Sequence, residues 1–289
     1  MNEILLKTNK VSKEQLEEIK GLMIVCETFD GLNVEISLNP VVVESRSGQY
    51  CFDYLFYVEN KLVGYLGAFD ILDPFHLEIT GVVHPSFRRK GIFTRLLNAA
   101  KEEFNHQKVK EVLLVVDNNS IEGKGFVQSI NTRLSHSEYS LKHYGNVNKE
   151  DFVVTIETPI ESDYSDMVHI HAEAFRDNLE EASQVITNNL QSDLYDVLVA
   201  KVRGTIIGSL SIFKNEGNRY LSAFSVAPKY QGKGYGRQIL KQVVQLLKDE
   251  GVDSIMLEVE IQNANALHLY QACGFEVVAG FDYYLLGDS

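Results

Sequence analysis

The chain is poor in the residues that build covalent or metal frameworks. Three cysteines in 289 residues, Cys26, Cys51 and Cys273, are odd in number and stand in no ligand spacing. Neither a disulfide scaffold nor a metal site is expected, and a reducing cytoplasm is the expected compartment. Tryptophan is absent and proline numbers five, which leaves no proline-rich linker. No apolar run approaches the roughly 20 residues that span a bilayer, so no membrane partner is expected. The opening Met1-Asn2-Glu3-Ile4 has neither the basic start nor the long apolar stretch of a signal peptide. A basic stripe with interleaved aromatics is also missing, and the net charge is −13, so nucleic acid is repelled.

What remains is a globular composition, 45% hydrophobic and 23% charged, over a length that suits two ordinary domains. The acidity is uneven. Residues 1–145 carry 16 basic against 19 acidic side chains, and residues 146–289 carry 11 against 21. The plain reading of that surface is solubility; the sharper one is attraction of a cationic substrate to the C-terminal half.

The chain repeats at an offset of 143. Val83, Pro85, Lys90 and Gly91 fall on Val226, Pro228, Lys233 and Gly234, and Phe126-Val127-Gln128 falls on Leu269-Tyr270-Gln271. Upstream, Leu62-Val63-Gly64 matches Ile206-Ile207-Gly208 at 144. Ordered agreement over more than sixty residues points to a duplicated domain. The join is expected near residues 145–148, a polar stretch of turn formers, giving domains 1–146 and 150–289.

Each half reads as mixed α/β. In the second, residues 195–202 and 205–213 are β-rich runs around Arg203-Gly204, and 220–226 is a third strand stopped by Pro228. Residues 236–250 place Ile239, Leu240, Val243, Val244, Leu246 and Leu247 at helical spacing, with Gly251 as the stop. Residues 254–260 alternate as a strand, 264–273 form a short helix, and 277–286 supply further strand. Residues 163–190 read as helical.

The most informative segment is Gln231-Gly232-Lys233-Gly234-Tyr235-Gly236-Arg237, between a strand and a helix. Its glycines let backbone approach a ligand, and the helix N-terminus behind them favours an anion such as pyrophosphate. A glycine-rich turn with nothing bound is the bland alternative. The nucleotide-hydrolase loop is excluded, because Gly-x4-Gly-Lys-Ser/Thr is absent. A dinucleotide fingerprint is excluded because the motif follows several strands rather than the first of a βαβ unit.

The pattern Val226-x-Pro228-x-x-Gln231-x-x-Gly234-x-Gly236 instead resembles the acetyl-CoA signature of the GNAT superfamily of N-acyltransferases. Leu257-Glu258-Val259-Glu260, Asn263, Ala266, Leu269-Tyr270 and Gly274-Phe275 resemble the second motif of that family, in particular of its ribosomal-protein N-terminal alanine acetyltransferases. The resemblance implies tandem GNAT domains, each a mostly antiparallel sheet flanked by helices. It implies that the backbone of Phe224, Ser225 and Val226 pairs with the pantetheine arm of acetyl-CoA. The amides of Gln231, Gly232, Lys233, Gly234, Tyr235, Gly236 and Arg237 then hold the pyrophosphate, and Asn263 bonds the arm near the thioester.

By the same resemblance Tyr270 is the acid beside the thioester sulfur. A phenol, with an ordinary pKa of about 10, is an apt donor to a departing thiolate. Glu258 stands where the ribosomal enzymes carry a glutamate base, opposite the apolar face of its strand; Glu260 or a water chain are alternatives. The strand leading to Pro228 has no carboxylate between Tyr220 and Ser225. The isolated His169, His171 and His268 read as surface or packing residues.

In the first half the cradle reads Arg88-Arg89-Lys90-Gly91-Ile92-Phe93, with Phe93 at the position of Gly236. Val127 replaces Tyr270 and Ser120 replaces Asn263. That half reads as a degenerate domain, with Arg88, Arg89 and Lys90 as candidate phosphate partners and Glu78 as a base lacking an acid. The expectation is an enzyme, monomer or homodimer, that moves an acetyl group to a small amine or a peptide N-terminus from its C-terminal domain. A non-catalytic acyl-CoA-binding regulator is the alternative.

Overall fold

The structure, a computed structural model, describes residues 2–45, 53–70, 75–145, 152–215 and 217–287. The chain divides into two compact units, residues 1–137 with 279–289, and residues 138–278. Residues 146–148 of the expected join, and Cys51, lie outside the described residues. Cys26 and Cys273 are buried and unpaired by disulfide. Among the described residues no helix is long and apolar enough to cross a membrane.

The first unit runs β1 (Glu3–Thr8), α1 (Lys13–Asp30), α2 (Val34–Ser37), α3 (Pro40–Ser45), β2 (Asp53–Val58), β3 (Lys61–Asp70), β4 (His76–Val83), α4 (Ile92–Gln107), β5 (Glu111–Asp117) and α5 (Ile121–Gln128). Strands β1 to β4 pair antiparallel in sequence order, and β4 pairs parallel with β5. Period-two alternation sorts the sheet's two faces. Tyr54, Phe56 and Val58 pack with Leu96, Leu97 and Phe104 of α4. Leu55 and Tyr65 pack with Ile19, Met23 and Cys26 of α1. Covered on both faces, β3 is buried from Leu62 to Ala68, which is why it reads as a continuous apolar run.

The second unit repeats the plan. It runs β7 (Thr155–Glu157), α6 (Tyr164–Phe175), α7 (Leu179–Gln191), β8 (Tyr195–Val202), β9 (Thr205–Asn215), β10 (Asn218–Val226), α8 (Tyr235–Asp249), β11 (Ser254–Glu260) and α9 (Ala264–Ala272). Strands β7 to β10 pair antiparallel and β10 pairs parallel with β11. Helix α8 buries Ile239, Leu240, Val243, Val244 and Leu247, each contributing about 1.5–3 kcal/mol by leaving water. These side chains meet Ile255, Leu257 and Val259 of β11 together with Tyr270 and Cys273. Helices α6 and α7 cover the other face through Met167, Ala182 and Ile186 against Val197 and Val199.

Two long strands complete the sheets. They are β6 (Thr132–His143) and β12 (Phe275–Leu286), and they fall on each other at the repeat offset of 143. Each is divided between the units. The first unit takes residues 132–137 of β6 and 279–286 of β12; the second takes 138–143 and 275–278. Phe281 to Leu285 of β12 pair antiparallel with Asp117 to Leu113 of β5. Glu138 to Lys142 of β6 pair antiparallel with Glu260 to Met256 of β11. Each unit's central parallel strand is therefore flanked by a strand from the other half of the sequence.

Candidate active site

In the second unit the parallel ladder between β10 and β11 covers only Asn218–Leu221 against Ser254–Leu257. Beyond it the strands part, and at that point β10 carries a bulge. Its register against β9 slips by one residue between Ser222 and Ser225, with Ala223 at φ +50°. A bulge bends its strand and frees backbone groups from the ladder. Ala227 N donates to Ile207 O at 2.8 Å, so by strand alternation the Val226 amide points to the opposite edge, into the parting. Phe224, Ser225 and Val226 thus line one side of an opening whose other side is β11.

The cradle follows. A 3-10 turn at Pro228–Tyr230 leads to Gln231, whose Nε2 donates to Val226 O at 2.8 Å, while Lys233 Nζ donates to Lys229 O at 2.7 Å. Both side chains fold back onto the loop, which leaves its amides facing outward. Gly232 and Gly234 have φ of +70° and +82°, and an ideal Cβ at either would meet nothing within 4 Å. Their glycines serve left-handed backbone beneath open space. Gly234 caps α8 without any side-chain acceptor for the helix's first amides, the condition in which a helix start receives an anion. Gly236 has a different reason to be small: its Cβ would lie 3.2 Å from Leu269 Cδ2 and 3.7 Å from Phe224 Cζ. Tyr235 is half-buried with its ring 6.0 Å from that of Tyr230. Arg237 reaches Ala272 O at 3.5 Å. The loop fits a pyrophosphate.

Asn263 caps α9, its Oδ1 accepting from Ala266 N at 3.1 Å. Both N–H donors of its side-chain amide remain for a ligand. Tyr270, on α9, is 8% exposed, between Phe224 and Phe275 at ring distances of 6.4 and 6.2 Å. Its hydroxyl makes no hydrogen bond to another described residue. Burial pushes its phenol up to about 12, with the neighbouring Cys273 adding in the same direction. The buried phenol therefore stays protonated at neutral pH. Glu258 lies on the other face of the sheet from Tyr270, opposite the buried Leu257 and Val259. Its side chain is open to solvent, yet surrounding protein pushes its carboxyl up to about 7; the Glu138 carboxylate adds to this and a hydrogen bond from Ser140 opposes it. Glu260 shares its exposed face.

The first unit repeats the cradle bond for bond. Arg88 Nε donates to Val83 O at 2.9 Å as Gln231 does to Val226 O, and Lys90 Nζ reaches Ser86 O at 3.2 Å as Lys233 does Lys229 O. Arg89 and Gly91 have φ of +61° and +75°, matching Gly232 and Gly234. Arg88 is not free for phosphate. Its guanidinium forms two bonds to Asp30, at 2.7 and 2.6 Å, at the end of α1. Phe93 does not obstruct the fold, because Gly81 stands where Phe224 stands. An ideal Cβ on Gly81 would meet the Tyr65 carbonyl oxygen and Leu66 Cα of β3 first, and it would lie 3.1 Å from Phe93 Cε2, so this position admits no ring of its own beside Phe93.

Above this cradle lies a cavity of about 460 Å³ between Thr80–Val83 and Leu114–Asp117, closed by residues of α5 including Phe126. No sequence feature announced it. Two features of the second unit are missing beside it. Val127, buried at 3%, replaces Tyr270. Strand β4 pairs with β3 in unbroken register, so there is no bulge. Ser120 caps α5 as Asn263 caps α9, accepting from Gly123 N at 3.0 Å, but brings a hydroxyl in place of an amide.

Two parted parallel strands over a glycine-lined cradle, occurring twice in one chain, define a tandem acyl-CoA transferase fold. The acetyltransferase (GNAT) family model matches residues 30–126 and 164–275, and the chain belongs to that family. It is 36% identical over 90 residues to the L-amino acid N-acyltransferase MnaT of Escherichia coli, covering 29% of this chain and 52% of that protein. It is 32% identical over 84 residues to N-alpha-acetyltransferase 30 of Saccharomyces cerevisiae, covering 28% and 48%. The chain spans about half the length of these curated relatives. Among solved structures, a GCN5-related N-acetyltransferase from Sphaerobacter thermophilus superposes with a TM-score of 0.78 at 16% identity, over 97% of this chain and 95% of that one. A tandem GNAT protein from the clavulanic acid biosynthesis pathway superposes with a TM-score of 0.70 at 14% identity, over all of both chains.

Proposed function

We propose that the second unit transfers an acetyl group from acetyl-CoA to an amine by direct attack. The observation that carries this reading is the bulged parting of β10 and β11, open to the cradle and flanked on its two faces by Glu258 and Tyr270. Acetyl-CoA supplies the activated acyl group, and no metal takes part. The amides from Gly232 to Arg237 hold its pyrophosphate, while Asn263 and the backbone of Phe224–Val226 hold the pantetheine arm. Glu258 takes the proton of the acceptor ammonium. Its raised pKa makes it a stronger base than an ordinary carboxylate, yet it is ionised above neutrality. The Val226 amide stabilises charge on the thioester oxygen, and Tyr270 donates a hydrogen bond to sulfur as it becomes a thiolate. The C–N bond forms as the C–S bond breaks, and nitrogen loses two protons: the ammonium's goes to Glu258 and on to solvent, and the one shed as the amide forms balances the one gained by the thiolate. Alignment of the two reactants contributes much of the acceleration.

The first unit, on this proposal, binds an acyl-CoA without transferring from it. Its cavity and repeated cradle favour binding, while Val127 and the unbroken β4 register speak against turnover. The acceptor is a small primary amine or a peptide N-terminus, and relatives named for L-amino acids and for protein α-amines support both classes. The test is thiol release from acetyl-CoA with a panel of L-amino acids and short peptides bearing free N-termini. Tyr270→Phe should lower turnover about 100-fold with acetyl-CoA affinity unchanged. A protein that only binds acyl-CoA has no turnover to lose, and absence of thiol release with every acceptor would select that regulator reading.

A further inference from the structure

Glu258 is held from outside its own half of the sequence. Strand β6 lies beside β11, with Ser140 directly opposite Glu258 in the register. Ser140 is 1% exposed, and its hydroxyl donates to Glu258 Oε1 at 2.9 Å. We infer that Ser140 is a positioning residue for transfer, fixing one carboxylate oxygen of Glu258 so that the other faces the parting of β10 and β11. The inference rests on Glu258 being the base.

Three features carry it. First, the pair is directly cross-strand, where side chains on one face are closest, and the serine sits in a ladder that fixes its direction. Second, a serine on this buried strand position is otherwise costly. The neighbouring Leu141 packs fully into the core, whereas the Ser140 hydroxyl needs an acceptor, and Glu258 supplies one. Third, the surroundings leave Ser140 as the local group favouring the ionised form. Along the same face of β6, Glu138 opposes Glu260 and Lys142 opposes Met256. Glu138 disfavours a second negative charge, and the Lys142 ammonium lies 5.9 Å from the centre of the Tyr144 ring. On β11 itself the next residue on this face is Glu260. From β10, residues 222–226 bring no titratable side chain. The half of the sequence without the catalytic pair thus supplies the contact that steadies the base.

The experiment compares the full chain with Ser140→Ala, Ser140→Thr and Glu258→Gln. Carbon-13 NMR of the glutamate carboxyls follows the titration of Glu258, with Glu258→Gln assigning its resonance, and thiol release from acetyl-CoA is followed against pH with the L-amino acid and peptide panel. In Ser140→Ala the Glu258 midpoint and the acid limb of the rate should both move upward by about one pH unit, making the variant about tenfold slower below the limb. Ser140→Thr, which keeps the hydroxyl, should restore both. A midpoint that stays put in Ser140→Ala, or that Ser140→Thr fails to restore, overturns the positioning role. A midpoint that moves while Glu258→Gln retains full turnover overturns the base assignment instead.

Discussion

Replacing Gly234 by Asp places one carboxylate where the cradle is proposed to receive pyrophosphate, and Gly91→Asp does the same in the first unit. Both glycines hold left-handed backbone, at φ +82° and +75°, and neither has an atom within 4 Å of an added Cβ. The folding cost is therefore conformational, about 1–2 kcal/mol for an L-residue and less for Asp, which tolerates this region. Binding should suffer far more. A carboxylate roughly 5 Å from a phosphate charge, at an effective dielectric of about 20, is opposed by about 3 kcal/mol, which is more than a hundredfold in Kd. Gly→Ala at the same positions adds the backbone cost without the charge and should weaken binding about tenfold at most. Calorimetric titration of acetyl-CoA should show two sites in the parent chain and one in each Asp variant. Thiol release should be lost in Gly234→Asp and survive in Gly91→Asp. An isotherm unchanged by Gly234→Asp, with transfer intact, would refute the assignment of the cradle.

Glu258 also predicts a pH-dependent stability. Its folded pKa of about 7 lies above the ordinary carboxylate value, so the folded state binds the proton more tightly than the unfolded state does. Stability from this group is complete below the ordinary value and declines as pH rises toward 7. Glu258→Gln should accordingly melt higher than the parent at pH 8 and equally at pH 4, and a difference of the same size at both pH values would rule out this linkage. The phenyl rings of Phe93 and Phe224 make a second case. Gly236→Phe should destabilise by about 1–3 kcal/mol through overpacking against Leu269 and Phe224, and Phe224→Gly should relieve it. In thermal melts the double variant should exceed the sum of the singles by about 1 kcal/mol or more; simple additivity would show that the rings do not share one space.

Local chemistry was legible in the sequence wherever a residue type answers a local demand. The glycines at 232 and 234 mark left-handed backbone, Gly251 ends α8, and the alternation of β11 places Glu258 away from Leu257. The bulge was not legible by periodicity, because the run from Tyr220 to Val226 still reads as one strand. Its trace is a count. Val83 lies four positions beyond Ile79, and Val226 lies five beyond the equivalent Leu221. Arg88 looked like a phosphate partner because its sequence neighbours are basic, whereas Asp30, 58 residues earlier, neutralises it. The cavity, the Ser140–Glu258 pair and the sharing of β6 and β12 were hidden for one reason. Each depends on which strands lie side by side, and pairing partners leave no mark on a strand's own pattern. The equivalence of β6 and β12 deepens the ambiguity, since either strand suits either sheet.

That sharing bears on how the chain is made. A growing polypeptide ordinarily closes its first domain while the second is still being synthesised. Here β5 lacks its native partner until Phe281 to Leu285 have left the ribosome, so throughout the synthesis of the second unit Leu113 to Asp117 have only an open edge or the equivalent β6 beside them. Such an edge invites pairing with other chains. The contacts that close it join residues more than 160 positions apart, the kind of long-range pairing that forms late. The first unit to be translated is in this sense the last to be finished, and a nascent chain stalled within the second unit would expose it.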